Sequence, residues 1–358
     1  MKKLLFFGYT LEMGGAEKVL IDYLKVLKNK YEIDLVLFNK KGELVSEIPK
    51  NVNVYELRKN NFQYALFRYV PFFRKREINS IANKKDYDVA IGFFEGRSAT
   101  WVADIKKKIK RIAWIHNDVY KFDIGIPENE IIDSYNKMDM IVTVSEKAKE
   151  NFCKKYDISQ NKVEVLYNLI DEENIKQKAN ENVEKNSSFT FVNVGKMRPQ
   201  KRQDRLVCIA RKLKDDGFDF KIQIVGNGPE ENKIKNLIEK LDISDKIELL
   251  GLKTNPYPYI KNADCFVLSS EFEGFGIAVK EALILGQLVI STKVTGVEEM
   301  LQSPKYGLIT DNSTDALYQE MKKVLSGKID VVKIKNNLKD YDSGNNEVIE
   351  KLIDIIER

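Results

Sequence analysis

Residues Ser269 to Ala282 read Ser-Ser-Glu-Phe-Glu-Gly-Phe-Gly-Ile-Ala-Val-Lys-Glu-Ala, and they form the most informative segment of the chain. The short apolar run 265–268 before them predicts a buried parallel strand, and the apolar spacing over 277–285 predicts a helix. The glycines of the turn between strand and helix permit a close backbone approach. The segment therefore predicts a strand, a turn and a helix, with a phosphate site at the helix start.

Two carboxylates flank this turn, at Glu273 before the predicted helix and at Glu281 inside it. A carboxylate in such a place can accept paired hydrogen bonds from the vicinal hydroxyls of a sugar. In a chain with 32% charged residues, two glutamates at this spacing are also explained by a strand-helix unit with solvated acids. The other motifs of the chain decide between these two explanations.

The pattern Glu273-x7-Glu281, with Gly-Phe-Gly inside it, resembles the signature of the retaining nucleotide-sugar glycosyltransferases of family 4. The resemblance implies an α/β chain of GT-B fold, in which two doubly wound Rossmann-like domains face a central cleft and a C-terminal helix crosses back. It also implies that Gly274, Phe275 and Gly276 line the donor site. Glu281 would hold the ribose hydroxyls, and Glu273 would contact the transferred sugar.

Length and alternation of elements predict two domains, since 358 residues exceed one ordinary domain. The expected division is an N-terminal, acceptor-side domain over 1–170, a linker or exposed helix poor in apolar residues over 171–188, and a nucleotide-sugar-binding domain over 189–340. By family resemblance, a helix over 341–358 packs on the N-terminal domain. The predicted strands are 4–8, 33–38, 52–57, 89–93, 111–115, 140–144 and 163–166, then 189–194, 221–225, 247–250, 265–268 and 289–291.

Composition favours a cytoplasmic protein. No window reaches the roughly 18 uncharged apolar residues of a membrane-spanning helix, and the apolar run near the start of the chain is interpreted as the first strand rather than a signal peptide. The 3 cysteines are far apart and predict neither a disulfide framework nor a zinc site.

A basic and aromatic segment, residues 58–76, suggests peripheral contact with the inner face of the cell membrane. It holds six basic residues, six aromatic residues and no acidic residue. This composition is typical of a segment on an anionic membrane surface, and the basic residues of 106–111 would add to the attraction. The alternative is a core helix with a solvated basic face. No nucleic-acid-binding motif accompanies the charge, so nucleic acid is not expected as a partner.

The loop after the first predicted strand contains Gly14, Gly15 and Glu17. It resembles the Gly-Gly-Ala-Glu opening of many family members, so the two glycines are expected to approach the donor. An ordinary strand-helix connection is the alternative. Glu17, Arg97 and Asp118 are expected on the acceptor side.

His116 is the only histidine, and it follows the apolar run 112–115. A lone histidine is usually a structural residue. The end of a strand favours a cleft position, however, and the family carries a histidine at the matching place, near the transferred sugar. A neutral imidazole can donate to or accept from a sugar hydroxyl. Asp118 would orient the ring.

The second domain opens with a basic loop in which Lys196 and Lys201 stand where the family has an arginine and a lysine. Both are expected to grip the donor diphosphate, although a lysine is a point charge and an arginine a bidentate fork. The alternative is a solvated basic turn.

Two further loops carry donor-site residues by resemblance. Gly226 and Gly228 belong to a Gly-x-Gly-Pro turn, and Gly296 and Glu299 to a segment that resembles Gly-Gly-x-x-Glu. The first of these fails as a dinucleotide fingerprint because residue 231 is not glycine.

The absence of several sequence motifs argues against other classes of enzyme. The chain has no phosphate loop of the Gly-Lys-Ser/Thr type, no nucleophile elbow and no His-Glu-x-x-His. Asp-x-Asp occurs at 86–88 and 340–342, where both copies are interpreted as solvated acids. No metal site and no cofactor are expected.

The resemblance thus implies a metal-independent, retaining transferase that acts in cell-surface polysaccharide synthesis. It would move a hexose or N-acetylhexosamine from a nucleoside-diphosphate sugar, expected to be UDP-linked, to a glycan or polyprenyl-diphosphate-linked acceptor. The expected catalytic residues are Glu273, His116, Lys201 and Lys196. The alternatives are a GDP-mannose-type transferase of the same fold and a non-catalytic nucleotide-sugar-binding partner subunit. A dehydrogenase is a weaker option.

Overall fold

The computed structural model describes residues 1–57, 70–121, 125–184 and 187–358. They form two compact units. Unit 1 comprises Met1–Ile170 and Asn345–Arg358, and unit 2 comprises Asp171–Gly344. Among the described residues, no helix has the length and apolar character needed to cross a bilayer.

Unit 1 is built on a parallel sheet of seven strands in the order β3-β2-β1-β4-β5-β6-β7. The strands are β1 (Lys3–Gly8), β2 (Glu32–Leu37), β3 (Asn53–Glu56), β4 (Val89–Gly92), β5 (Lys110–Ile115), β6 (Met140–Thr143) and β7 (Val163–Val165). Within the described residues before 170, the helices are α1 (Gly15–Leu27), α2 (Pro71–Ala82), α3 (Arg97–Ala103), α4 (Glu128–Asn136) and α5 (Glu146–Tyr156). Residues 4–7 of β1 are fully buried, as a central strand covered by helices on both faces requires.

Unit 2 repeats the architecture with six parallel strands in the order β10-β9-β8-β11-β12-β13. The strands are β8 (Phe189–Val194), β9 (Phe220–Val225), β10 (Ile247–Gly251), β11 (Cys265–Leu268), β12 (Leu288–Thr292) and β13 (Gly307–Thr310). The helices are α6 (Glu172–Lys178), α7 (Gln203–Asp215), α8 (Glu231–Lys240), α9 (Tyr257–Asn262), α10 (Ile277–Ile284), α11 (Val297–Leu301), α12 (Thr314–Leu325) and α13 (Val331–Asn337).

The last helix, α14 (Asn345–Glu357), belongs to unit 1. Its apolar face is buried, and Leu352 is inaccessible to solvent. Its C-terminal carbonyl groups receive lysine side chains: Lys110 Nζ lies 2.6 Å from the Ile355 oxygen, and Lys2 Nζ lies 2.9 Å from the Glu357 oxygen. Positive charge at this end complements the helix dipole.

Three details differ from the sequence prediction. Strand β13 was not predicted, because only Leu308 and Ile309 are apolar in it and it starts at a glycine. The stretch 171–188, expected as a linker or an exposed helix, contains helix α6, but Ile175 of this helix is buried and the helix belongs to unit 2. Residues 341–344 also belong to unit 2, and the final helix starts at Asn345.

Both sheets reverse their strand order beside their first strand, between β1 and β4 in unit 1 and between β8 and β11 in unit 2. In open parallel sheets, ligands bind beyond the carboxyl ends of the strands at such a reversal. A ligand site is therefore expected in the loops that follow these four strands.

Candidate functional site

An ion pair lies at the strand-order reversal of unit 2. Lys201 Nζ is 2.6 Å from Glu273 Oε1, and Ser270 Oγ donates a hydrogen bond to the same oxygen at 2.6 Å. Ser269 Oγ donates to the backbone oxygen of Lys201 at 2.8 Å. The Glu273 side chain is 8% exposed and that of Lys201 is 21% exposed. The structure thus brings together two predicted site residues that are 72 positions apart.

The loop that carries Glu273 is held by hydrogen bonds from distant residues. Arg205 Nη1 donates to the Ser269 oxygen at 3.1 Å, Thr292 Oγ1 to the Ser270 oxygen at 2.7 Å, and Asn312 Nδ2 to the Glu271 oxygen at 2.9 Å. Burial lowers the pKa of Arg205. These partners could not be predicted from the sequence, because they come from α7, β12 and the loop after β13, which are far apart along the chain.

Helix α10 begins at the end of this loop. Gly276 precedes its first residue with φ +84°, and among the described residues no side chain caps the helix start. A Cβ on Gly276 would lie 2.7 Å from Val297 Cγ2, and a Cβ on Gly296, which has φ +80°, would lie 2.9 Å from Phe275 Cα. Both glycines therefore allow the loops before α10 and α11 to pack closely. The open N–H groups of α10 form a potential anion site.

Glu281 is buried inside α10, where it accepts a hydrogen bond from the Tyr257 hydroxyl at 3.1 Å. Its neighbour Lys280 is also buried, with Nζ 5.9 Å from the centroid of the Phe275 ring. Burial lowers the pKa of Lys280 to about 8, opposed by attraction to Glu172 and Asp342. Neither Tyr257 nor Lys280 was expected from the sequence.

The Gly-x-Gly-Pro turn has a packing role. A Cβ on Gly226 would lie 2.1 Å from the Gly195 oxygen, and a Cβ on Gly228 would lie 2.4 Å from the Met197 oxygen. The Met197 N–H donates to the Asn227 oxygen at 2.7 Å. The two glycines therefore let this turn support the basic loop that precedes α7. Contact with a donor is not needed to explain them.

At the strand-order reversal of unit 1, His116 follows β5 and is buried. Its ring packs on Phe93 and Phe94, with centroid distances of 4.7 Å and 6.0 Å. Within the described part of the chain, neither ring nitrogen makes a hydrogen bond of ordinary geometry. Burial lowers the pKa of His116 to about 3, against a smaller opposing effect of the Phe93 backbone. The imidazole is therefore neutral at pH 7.

A carboxylate that sequence analysis missed lies beside His116. Glu95 is buried, and its two carboxylate oxygens accept from the His116 backbone N–H at 3.0 Å and from the Asn117 side-chain amide. Burial raises the pKa of Glu95. Its signal in the sequence was an acidic residue two positions after the predicted strand 89–93, at the edge where ligands bind.

Two family models match the chain in succession. Residues 13–174 match the model described as Glycosyltransferase Family 4, and residues 171–341 match Glycosyl transferases group 1. Together the two matches span residues 13–341. The chain belongs to glycosyltransferase family 4.

A curated relative of this glycosyltransferase is the N-acetylgalactosamine-N,N'-diacetylbacillosaminyl-diphospho-undecaprenol 4-alpha-N-acetylgalactosaminyltransferase of Campylobacter jejuni. It is 28% identical over 344 residues, which cover 91% of this chain and 90% of the relative. Two solved structures share the GT-B fold. A glycosyltransferase from Rickettsia africae is 22% identical with a TM-score of 0.79, covering 99% of this chain and 98% of the other. Anabaena HepE in complex with UDP and glucose is 16% identical with a TM-score of 0.78, covering 100% of both chains.

The glycosyltransferase departs from the sequence prediction at Asp118. This carboxylate was expected to orient His116, but its Oδ1 accepts from the Tyr120 N–H at 3.0 Å in a local turn. Among the described residues, the His116 ring nitrogens make no hydrogen bond of ordinary geometry, to Asp118 or to any other side chain. The expectation was wrong because an aspartate readily binds the backbone two residues on. Glu95 is the carboxylate that holds His116, through the backbone.

The remaining predicted positions are spread over the loops of the glycosyltransferase. Gly14 precedes α1, and a Cβ on it would lie 2.2 Å from Glu17 Oε2, so the Glu17 carboxylate folds back over it. Gly15 starts α1, and Arg97 starts α3, where it donates to the Gly125 oxygen at 3.1 Å. Lys196 is exposed in the basic loop, Gly274 is buried beside Glu273, and Glu299 is half-buried in the first turn of α11.

Among the residues that the structure describes, no group of three His, Cys, Asp or Glu side chains is arranged to hold a metal ion. Of the Asp-x-Asp acids, Asp86 is exposed and forms an ion pair with Lys107.

Proposed function

We propose that this glycosyltransferase moves a hexose or N-acetylhexosamine from a UDP-sugar to a glycan or polyprenyl-diphosphate-linked acceptor, with retention at the anomeric carbon, in bacterial cell-surface polysaccharide synthesis. The observation that carries the proposal is the Lys201–Glu273 ion pair beside the open start of α10. The name of the Campylobacter relative, which describes transfer to a diphospho-undecaprenol-linked sugar, and the UDP and glucose in the HepE structure support the choice of substrates.

In the proposed reaction, the bond from the anomeric carbon to the diphosphate breaks and a bond to the acceptor oxygen forms on the same face. The acceptor proton passes to the departing phosphate. Because negative charge grows on the diphosphate, Lys201, Lys196 and the positive end of α10 stabilise the transition state. Glu281 binds the ribose hydroxyls, and Glu273 contacts the sugar. His116 supplies a neutral imidazole to a sugar hydroxyl.

The first experiment screens UDP- and GDP-sugars for thermal stabilisation and slow hydrolysis by the purified chain. We expect one UDP-sugar to raise the melting temperature and to be hydrolysed. Selective stabilisation by GDP-mannose would favour the alternative nucleotide. Stabilisation without any turnover, even with acceptor supplied, would favour a binding subunit and contradict the proposed enzyme.

Variants then test the roles of the site residues. Glu281→Ala should abolish stabilisation by the nucleotide, while Lys201→Ala should lower kcat by about a hundredfold or more. Lys214→Ala is the matched control, because its Nζ forms a 2.8 Å ion pair with Asp245 away from the site. Wild-type rates in both site variants would refute the assignment.

We further propose that transfer requires no metal ion, because two lysines and a helix start can balance the diphosphate charge. Activity should be unchanged after dialysis against EDTA. A loss that Mg²⁺ or Mn²⁺ restores would overturn this point.

We also propose that unit 1 contacts an anionic membrane surface through the start of α2. Phe72 is 69% exposed and Phe73 is 43% exposed, beside the exposed Lys75 and Arg76. Exposed aromatic rings next to basic side chains suit the lipid headgroup region. Residues 58–69 of the predicted segment lie outside the described residues.

Other basic residues of the two predicted segments serve unit 1 itself. Arg74 is buried and paired with Asp104 at 2.7 Å and with Glu130 at 3.2 Å. Lys110 binds the end of α14, and Arg111 donates to the Ile105 oxygen at 2.9 Å. The membrane proposal therefore narrows to the start of α2. A Phe72→Ser/Phe73→Ser variant should lose sedimentation with anionic vesicles, whereas Val332→Ser, at an exposed apolar residue of α13, should retain it.

A further inference from the structure

Glu95 is a buried carboxylate to which the proposed reaction gives no role. It follows β4 at the edge of the sheet where ligands bind, and it is 7% exposed. A buried carboxylate is costly unless hydrogen bonds satisfy it, and such groups concentrate at functional sites. Its position one loop away from His116 makes it a candidate for a supporting role in sugar binding.

The Glu95 loop is fixed from several directions. Tyr9 donates its hydroxyl hydrogen to the Glu95 backbone oxygen at 3.2 Å, and the Gly96 N–H donates to the Tyr135 hydroxyl at 3.4 Å. The Phe94 N–H donates to Ser98 Oγ at 3.1 Å. The carboxylate therefore projects from a rigid backbone, as a group that must orient its neighbour requires.

Both oxygens of this carboxylate bind the next loop. Oε2 accepts from the His116 backbone N–H at 3.0 Å, and Oε1 accepts from the Asn117 amide. The His116 ring contacts Phe93 and Phe94, but among the described residues its nitrogens make no hydrogen bond of ordinary geometry. The polar contact that fixes His116 is therefore made to its backbone, by Glu95.

We infer that Glu95 is a positioning residue that clamps His116 and Asn117 in the orientation in which they meet the bound sugar. This inference rests on the proposed function. Glu95 acts through the neighbouring loop and does not touch substrate. Loss of the clamp should therefore lower kcat, because misplacement by about 1 Å is costly to catalysis. Donor binding, which depends on the nucleotide site of unit 2, should change little.

The test combines kinetics with NMR of the histidine ring. His116 is the only histidine in the chain, so ¹⁵N-histidine labelling gives the signals of one imidazole. In Glu95→Ala we expect kcat to fall about ten- to a hundredfold, with KM for the donor unchanged and the imidazole signals shifted. Glu95→Gln keeps an acceptor for the His116 N–H, and Asn117 can rotate its amide to pair with the new one. Its kcat and signals should stay close to those of the wild type.

Asp34→Asn provides a matched control for the loss of a buried carboxylate. Asp34 is fully buried in β2, the strand next to the edge strand β3, and it accepts hydrogen bonds from Asn53 and Lys85, each at 2.9 Å. This change should lower stability and leave kcat and the imidazole signals unaltered. If Glu95→Ala fails to fold, Glu95→Asp replaces it with the same expected results, because a carboxylate on a side chain one methylene shorter keeps its charge but does not reach the His116 N–H.

Wild-type kcat or unshifted imidazole signals in the folded Glu95→Ala variant would overturn the inference. Failure of the proposed function has a different signature. In that case the wild type transfers no sugar, while the imidazole signals still report whether Glu95 orients His116.

Discussion

At the scale of single residues, His116 shows how burial fixes a protonation state. Its pKa is lowered to about 3 in the folded chain, whereas the unfolded value is about 6.5. The unfolded chain therefore binds a proton that the native chain excludes. The stability from keeping the ring neutral is fully present above pH 6.5 and is lost as pH falls toward 3, by about 1.4 kcal/mol per pH unit.

A His116→Gln variant should lack this pH dependence, because glutamine does not titrate. We expect the wild type to lose stability relative to the variant between pH 6.5 and 4.5, as measured by urea unfolding of unit 1. The pH profile of wild-type kcat/KM should also show no step near 6.5 from this histidine. Parallel stability curves for the two proteins would contradict the assignment of a neutral buried ring.

The Lys201–Glu273 pair leads to a second prediction at this scale. Removing Lys201 leaves Glu273, 8% exposed, with Ser270 but without its ammonium partner. The partial exposure of the lysine moderates the cost, so each single alanine variant should lose about 1–3 kcal/mol. The double variant should lose less than the sum of the two. Chemical denaturation of all four proteins gives the coupling, and strict additivity would show that the ion pair has no energetic role.

The sequence was enough to predict some of the site residues but not others. Lys201 and Glu273 could be named in advance because each lies in a segment that resembles a family 4 motif, in a loop that follows an apolar run typical of a strand. Glu95 follows such a run too, but a single acid in a loop is indistinguishable from a solvated one until its burial is known. Asp118 was misjudged for a related reason, because proximity in sequence to His116 does not determine which donor a carboxylate binds.

At the scale of elements, the glycine turn after β9 is explained by packing. Gly226 has φ +142°, and a Cβ there would lie 2.1 Å from a backbone oxygen. Gly226→Ala should cost about 2–4 kcal/mol from combined strain and overlap, and it should weaken nucleotide binding by displacing the basic loop. Gly217→Ala is the control, since Gly217 has φ +80° with nothing within 4 Å of the added carbon.

The control should show the cost of the left-handed backbone alone, about 1–2 kcal/mol, with nucleotide binding unchanged. Thermal melting with and without UDP distinguishes the two variants. Equal losses of stability, or normal UDP binding by Gly226→Ala, would count against a supporting role of the turn.

Whether a strand could be predicted from the sequence depended on its length and on its place in the sheet. The twelve predicted strands are all present, and the central ones, such as β1, carry the apolar runs of strands that are buried on both faces. Strand β13 lies at an edge of its sheet and is short, with two apolar residues between Gly307 and Thr310. Its pairing with β12 through residues 307–310 is a tertiary effect that local periodicity cannot report.

At the scale of the whole molecule, the chain leaves unit 1 after Ile170 and returns to it at Asn345. The return is secured by a pair of hydrogen bonds: the Asn345 amide donates to the Ile170 oxygen at 2.7 Å, and its Oδ1 accepts from the Ile170 N–H at 3.3 Å. The apolar period of the last helix predicted an amphipathic helix, but which unit it joins is fixed by contacts such as Lys110 to Ile355 and Tyr31 to Glu357.

The membership of α14 in unit 1 gives a prediction about the whole chain. Leu352 of α14 and Leu317 of α12 are both fully buried leucines on helices, so Leu352→Ala and Leu317→Ala remove the same side chain from different units. Each should cost about 2–5 kcal/mol. Leu352→Ala should speed hydrogen exchange of β1, β5 and α1 and leave β8 and β11 protected, whereas Leu317→Ala should do the reverse. Exchange followed by mass spectrometry separates these patterns, because each unit has its own sheet and core. If Leu352→Ala instead exposed unit 2 as strongly as unit 1, the two units would unfold as one cooperative body, and α14 would stabilise the entire chain.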